Sequence, residues 1–302
     1  MSGPSVGVVI PTRGDRPELL RQALAGVLAQ RHDGPLEVAV VADAGDPDAV
    51  AAQVAGVPNP AGRPVRVLAN PAGPHLARAR NAGIDALRTD LLAFCDDDDV
   101  WLPGKLAAQV AALRAAPGAD FASCAIEVEY RGRTFPRQAG RDRVSRADLV
   151  RSRMVMVHSS TFLFSGYRVD ETAPGGQNED WDLALRAAAR HPIVHVDRPL
   201  VRVRWGRSHY AAQWSGRVAG LEWMLARHPE LAADRRGAAR VYGQLAFLHA
   251  ALGRRRRALR WAGRALGRRW TEPRVPIALA VASGLVSPGL VLGLLHARGH
   301  GI

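Results

Sequence analysis

The sequence predicts an α/β fold: a mostly parallel sheet covered by helices on both faces, followed by a helical appendage at the C-terminus. Three observations predict it. Short continuous apolar runs alternate with stretches of helical periodicity, these runs end in Pro, Gly and Asp, and the charge changes character after residue 200. Unbroken apolar runs, rather than alternating ones, are what strands buried on both faces require.

The elements follow in order. Val6-Gly7-Val8-Val9-Ile10 reads as a buried strand that breaks at Pro11-Thr12-Arg13-Gly14-Asp15. Asp15 is then placed to cap a helix with Arg16-Pro17-Glu18 in its first turn, and Leu19, Leu20, Ala23, Leu24, Val27 and Leu28 form its apolar face. Leu36 to Val41 gives a second strand, Asp46-Pro47-Asp48 opens a short helix, Val65 to Leu68 gives a third strand, and His75 to Leu87 another helix. Leu91 to Cys95 is the fourth strand. In such sheets ligands bind beyond the carboxyl ends of the strands, so Thr12, Asp43 and Asp96 to Asp99 are expected to converge on one crevice.

Four consecutive aspartates, Asp96 to Asp99, at a strand end repel one another, and a hard divalent cation, Mg2+ or Mn2+, would neutralise them. A solvated acidic turn capping a helix that starts near Pro103 is the competing reading.

Several motifs in sequence order resemble the family 2 glycosyltransferases, whose nucleotide-sugar-binding fold is called GT-A. Val8-Val9-Ile10-Pro11-Thr12-Arg13, with Pro17-Glu18-Leu19-Leu20 and Val27-Leu28-Ala29-Gln30, is similar to the family's opening, and Glu37 to Asp43 to its second strand. Ala79-Arg80-Asn81-Ala82-Gly83-Ile84 resembles the segment before the metal strand, and Phe94 to Asp99 with Trp101 and Pro103 the aspartate motif. Glu179-Asp180-Trp181-Asp182-Leu183 resembles the signature that opens a helix and carries the base. Asp43 is the retained one of two acids that the family places at the end of its second strand, and Arg13 stands near a position where the family often has an aromatic residue.

Transfer of a sugar from a nucleoside diphosphate needs the leaving diphosphate neutralised and the acceptor hydroxyl deprotonated. A metal on Asp98, with Asp96 or Asp97 assisting, would serve the first need. Asp43 can accept the ring N–H of uracil or thymine, which favours UDP or dTDP, and Arg80 carries a fork suited to the nucleotide and its phosphates. The resemblance places Asp97 near the ribose hydroxyls and Pro11-Thr12-Arg13 along the nucleotide. It also implies hexosyl transfer by direct displacement with inversion, Asp180 removing the acceptor proton. Asp180 as a mere N-cap, with Glu179 or Asp182 the base, stays open, as does Asp43 as a turn residue and Arg80 as a solvated one. His158 and His209 are lesser candidates, and His209, after the last strand, stands where the resemblance allows a histidine near metal or diphosphate.

Residues 1–200 carry 23 Lys plus Arg against 24 Asp plus Glu, whereas residues 201–302 carry 18 against 4, so the basic excess is C-terminal. The expected division is a catalytic domain over 1–210 and a basic helical region over 211–302 with an apolar tail. Leu245 to Trp270 reads as two helices joined at Gly253 and packed on the catalytic domain. The uncharged stretch from Val275 to Ala297 is broken by Pro276, Gly284, Pro288, Gly289 and Gly293. It reads as a hairpin on an anionic membrane surface or as short helices buried on the protein, with a true span the minor reading. Cys95 and Cys124 suggest reduced thiols, and Met1-Ser2-Gly3-Pro4 runs straight into the first strand, so a cytoplasmic protein, peripheral at most on the inner face of the cell membrane, is expected.

The leading function is therefore a metal-dependent glycosyltransferase acting on a hydroxyl acceptor such as a cell-envelope glycan, a lipid-linked sugar or a secondary metabolite. The acceptor is expected to meet Glu127 to His158 and the Gly175-Gly176-Gln177 loop. An inactive sugar-nucleotide-binding module, a basic polyanion binder and a nucleotidyltransferase compete with it. Specific nucleic-acid recognition is disfavoured, because the basic segment lacks interleaved aromatics beyond Trp261 and Trp270.

Overall fold

A computed structural model describes residues 3–205 and 213–298 of the chain. The first half alternates as expected: β1 (Val6–Thr12), α1 (Pro17–Leu28), β2 (Leu36–Ala42), α2 (Pro47–Val54), β3 (Val65–Ala69), α3 (Leu76–Ala86) and β4 (Leu91–Phe94). There follow β5 (Val100–Trp101), α4 (Lys105–Arg114), β6 (Phe121–Tyr130), β7 (Arg133–Arg137), β8 (Arg143–Val144), α5 (Arg146–Arg151), β9 (Leu163–Phe164), α6 (Glu179–Arg190) and β10 (Ile193–Arg204). The C-terminal region is helical: α7 (Trp214–Arg227), α8 (Glu230–Ala233), α9 (Arg235–Ala251), α10 (Arg255–Arg268), α11 (Arg274–Ser283) and α12 (Pro288–His296).

The sheet runs β3-β2-β1-β4-β9-β6-β10-β5. The pairs β3/β2, β2/β1, β1/β4 and β6/β10 are parallel, while the short β9 enters antiparallel between β4 and β6. The chain winds outward from β1 to β3 and then returns to the other side of β1 as β4. This reversal opens a crevice at the carboxyl ends of β1 and β4, where the loops after them diverge. Register delivers the site residues together: Thr12 pairs with Ala42, which puts Asp43 beside it, and Val9 pairs with Phe94, just before the aspartate run.

Every residue of β1 is buried, as a strand covered on both faces demands. On one face α3 approaches so closely that a Cβ on Gly83 would collide with the Val9 side chain, so the glycine sets how near Arg80, one turn earlier, comes to the strand ends. Asp15 does not cap α1. The cap position is Arg16, which makes no side-chain cap bond because its guanidinium is drawn to the aspartate run. Helix α4 begins two residues beyond Pro103, after Gly104 at φ 84°.

One apolar core runs without interruption from Val9, Ala39 and Phe94 of the sheet through Trp181 and Leu183 to Leu245, Phe247, Ala258 and Val275 of the C-terminal helices. The first of the two predicted C-terminal helices is longer than its periodicity suggested, because Gly237, Ala238, Ala239 and Val241 are also buried. The expected boundary at residue 210, and His209 with it, fall outside the described residues. Val275, Ala278, Val281 and Ala282 of α11 are buried, whereas α12 beyond Gly284 buries none of its residues fully. Among the described residues no helix is long and apolar enough to cross a membrane. Cys95 and Cys124 are buried free thiols.

Candidate active site

A crevice of about 1100 Å3 lies over the β1/β4 reversal, and Pro11, Thr12, Arg13, Asp43, Arg80, Asp96, Asp97, Asp98 and Asp180 all line it. Thr12 Oγ1 donates to Asp97 Oδ2 at 2.6 Å, stitching the end of β1 to the loop after β4. Arg16 Nη1 donates to Asp98 Oδ2 at 2.6 Å, and its Nη2 donates to Asp97. Burial pushes the Asp97 carboxyl up to about 7 against the pull of Arg16 and the Thr12 hydroxyl.

Asp43 Oδ1 accepts the backbone N–H of His75 and the Asn70 amide, each at 2.7 Å, so its position is fixed at the start of α3. Arg80 is not a free fork. Its buried guanidinium donates from Nη2 to Asp96 Oδ1 at 2.6 Å and from Nη1 to Glu179, joining α3, the aspartate run and α6 in one triad. It lines the crevice while holding two acids in place.

Asp96 also accepts from Ser159 Oγ at 2.9 Å, and Asp99 from Ser160 Oγ at 2.6 Å. His158 stands beside both, with Nε2 3.8 Å from Asp96 and Nδ1 3.5 Å from Asp99. One ligand atom from each of Asp96, Asp99 and His158 lies within 4.8 Å of the others. Burial, with the charges of Asp98 and Asp96, drives the Asp99 carboxyl well above the usual range. For Asp96, burial works in the same direction but is outweighed by Arg80 and His158, and its carboxyl lies below that range.

Asp180 sits in the first turn of α6, after Asn178, a non-glycine residue at φ 65°. Arg153 Nη2 donates to both carboxylate oxygens of Asp180 at 2.9 Å, and its Nη1 donates to Asn178 Oδ1 at 2.9 Å. Burial opposes ionisation of Asp180, but the Arg153 charge, helped by His158 and Arg80, holds the carboxyl below its ordinary value. The two other acids considered for its role are committed elsewhere. Glu179 is pushed up to about 7 by burial while paired with Arg80. Asp182 is fully buried between Arg186 (2.8 Å), Arg227 (2.5 Å) and His228 (2.9 Å) and does not line the crevice.

Sequence reasoning missed Arg16, Arg153, Ser159, Ser160 and the part played by Asp99. It also missed that the C-terminal helices reach the crevice, through Arg217, Arg240, Arg274, Leu292 and His296. Only Asp99 carried a signal, its place in the acidic run.

The family model "Glycosyl transferase family 2" matches residues 7–171. The chain belongs to that family. Among curated proteins, this glycosyltransferase is 38% identical over 101 residues to the succinoglycan biosynthesis protein ExoW of Rhizobium meliloti (strain 1021). That match covers 33% of this chain and 31% of that protein. Among solved structures, it resembles the mannosyltransferase PcManGT from Pyrobaculum calidifontis in complex with GDP-Man and Mn2+, at TM-score 0.54 and 18% identity over 99% of this chain and 81% of that one. It also resembles S. aureus TarS 1-349 in complex with UDP-GlcNAc, at TM-score 0.55 and 14% identity over 92% of this chain and 88% of that one. At such identities the likeness concerns the fold, and the fold of this glycosyltransferase is the GT-A arrangement. Asp180 lies beyond the matched segment.

Proposed function

We propose that this family 2 enzyme transfers a hexosyl group from a UDP- or dTDP-sugar to an acceptor hydroxyl with inversion at the anomeric carbon, Asp180 acting as general base. The observation that carries the reading is the placing of an ionised Asp180 at the head of α6, in the same crevice as the acids at the β1/β4 reversal. Asp180 takes the acceptor proton as the acceptor oxygen bonds to the anomeric carbon, and the bond from that carbon to the diphosphate oxygen breaks, the nucleoside diphosphate leaving with the electron pair. Asp43, fixed by His75 and Asn70, faces the base, Thr12 and Asp97 border the ribose, and Pro11 and Arg13 flank the nucleotide.

The donor set fits a hard divalent ion, since Asp96, Asp98 and Asp99 offer carboxylate oxygens in the crevice and His158 offers an imidazole beside Asp96 and Asp99. Bound there, Mn2+ or Mg2+ would neutralise the leaving diphosphate. The test is calorimetric titration of the protein with UDP, dTDP and GDP, each with and without Mn2+. Mn2+-dependent binding of UDP or dTDP is expected; binding of none of them would overturn the reading.

The acceptor is proposed to be cell-envelope or lipid-linked material met at an anionic membrane surface. Exposed Leu285, Leu290 and Leu294, together with the exposed arginines of α10 earlier in the chain, support this. Cosedimentation with phosphatidylglycerol vesicles but not with phosphatidylcholine vesicles is expected, and should fail when Leu290 and Leu294 are both changed to Glu. Undiminished binding by that variant would remove the helix from the contact.

A further inference from the structure

Four arginines gather on the wall of the crevice beyond Asp180. Arg153 follows α5, Arg217 lies in α7, Arg240 in α9, and Arg274 opens α11; all four line the cavity. Arg240 is only 9% exposed, its guanidinium lies 5.0 Å from the centre of the Trp181 ring, and its Nε and Nη2 have no hydrogen-bond partner. Arg274 gives Nη1 to Glu272 at 2.6 Å, while its Nε is likewise unpartnered. The acids bearing on the group are Asp180, bound by Arg153, and Glu272.

Burial, with the nearby charges of Arg274 and Arg153, brings Arg240 down to about 9, and burial with Arg153 brings Arg217 to about 10. Both remain cationic at neutral pH. Desolvated like charges with unmade hydrogen bonds are costly, and an anion that accepts those bonds offsets the cost. Four guanidinium groups against two carboxylates leave an excess that suits a phosphate dianion better than a single carboxylate, and the forked donors match phosphate oxygens.

We propose that this cluster is the acceptor subsite and that the acceptor carries a phosphate group, held by Arg217, Arg240 and Arg274 while its hydroxyl meets Asp180. The inference rests on the transferase reading of Asp180. The donor end is a different place. Asp180 feels Arg153 from this cluster and His158 and Arg80 from the aspartate run, so it stands between the two. Arg217, Arg240 and Arg274 also lie beyond residues 7–171, the part common to the family.

The phosphate could belong to a lipid-linked glycan or to a water-soluble sugar phosphate. The whole chain, saturated with UDP and Mn2+, would be titrated with farnesyl phosphate, glucose 6-phosphate and, as a carboxylate control, glucuronate. Saturable binding of a phosphate probe is expected, weakened at least about tenfold by Arg240→Gln and by Arg217→Gln, with UDP affinity unchanged. Tighter binding of farnesyl phosphate would assign the lipid-linked source, and equal affinity the soluble one. Arg240→Lys, which keeps the charge, and the partly exposed Arg217 position guard against a folding defect at one site. No phosphate binding by a protein that still binds UDP, preference for glucuronate, or displacement of UDP by the phosphate probe would each overturn the inference while leaving the donor site standing. Loss of UDP binding by the unaltered chain would instead count against the transferase reading.

Discussion

Asp180→Asn is expected to slow sugar transfer by about a hundred- to ten-thousandfold, the range that general-base catalysis supplies, with Mn2+-dependent nucleotide affinity unchanged. The substitution keeps the shape of the side chain and its place in α6, so Arg153 and the Trp181 N–H still find an oxygen, but the group can no longer take a proton. Release of nucleoside diphosphate gives the rate and calorimetry the affinity; equal losses in both would sink the assignment. The pH profile gives a second handle. The carboxyl is held low chiefly by Arg153, so Asp180 is ionised above its depressed value and activity falls only as pH drops through it. In Arg153→Met that hold is removed, the carboxyl rises, and the acid limb of kcat/KM moves to higher pH. An unmoved limb would mean that another group sets it.

The strands and helices that build the crevice were legible because each carries its own periodicity: β1 and β2 are unbroken apolar runs, and α1 shows one apolar stripe. The acids at the strand ends were legible for the same reason, since a sheet of this kind delivers Thr12, Asp43 and Asp96 to a single edge. Their electrostatic partners were not. Arg16 looks like an ordinary first-turn residue, and Arg153 sits in a segment without repeat or motif; only the folded loops bring them to Asp98 and Asp180. Arg80 shows the limit from the other side. Its place beside the site was readable from its motif, but its burial against Asp96 and Glu179, an acid 99 positions away, depends on the close contact that Gly83 permits. The four-arginine wall was hidden most deeply, because within a basic C-terminal region three inward-facing arginines look the same as many solvated ones.

Asp98→Asn is expected to weaken Mn2+-dependent UDP binding by at least about a hundredfold, the upper end of what losing even a supporting partner of a ligand costs. Two ligand sets compete, Asp96 with Asp98, as the sequence suggests, and Asp96, Asp99 and His158, as the clustering of their atoms suggests. Accessibility favours the first. The side chains of Asp96 and Asp98 are 22% and 16% exposed, against 4% and 2% for Asp97 and Asp99. Arg16 is then the counter-charge that must yield: it holds Asp98, and Arg16→Gln should tighten binding of the metal alone even if nucleotide affinity falls. His158→Ala separates the sets. A loss smaller than that of Asp98→Asn places the ion on Asp96 and Asp98. A larger one moves it to the Asp96, Asp99 and His158 group.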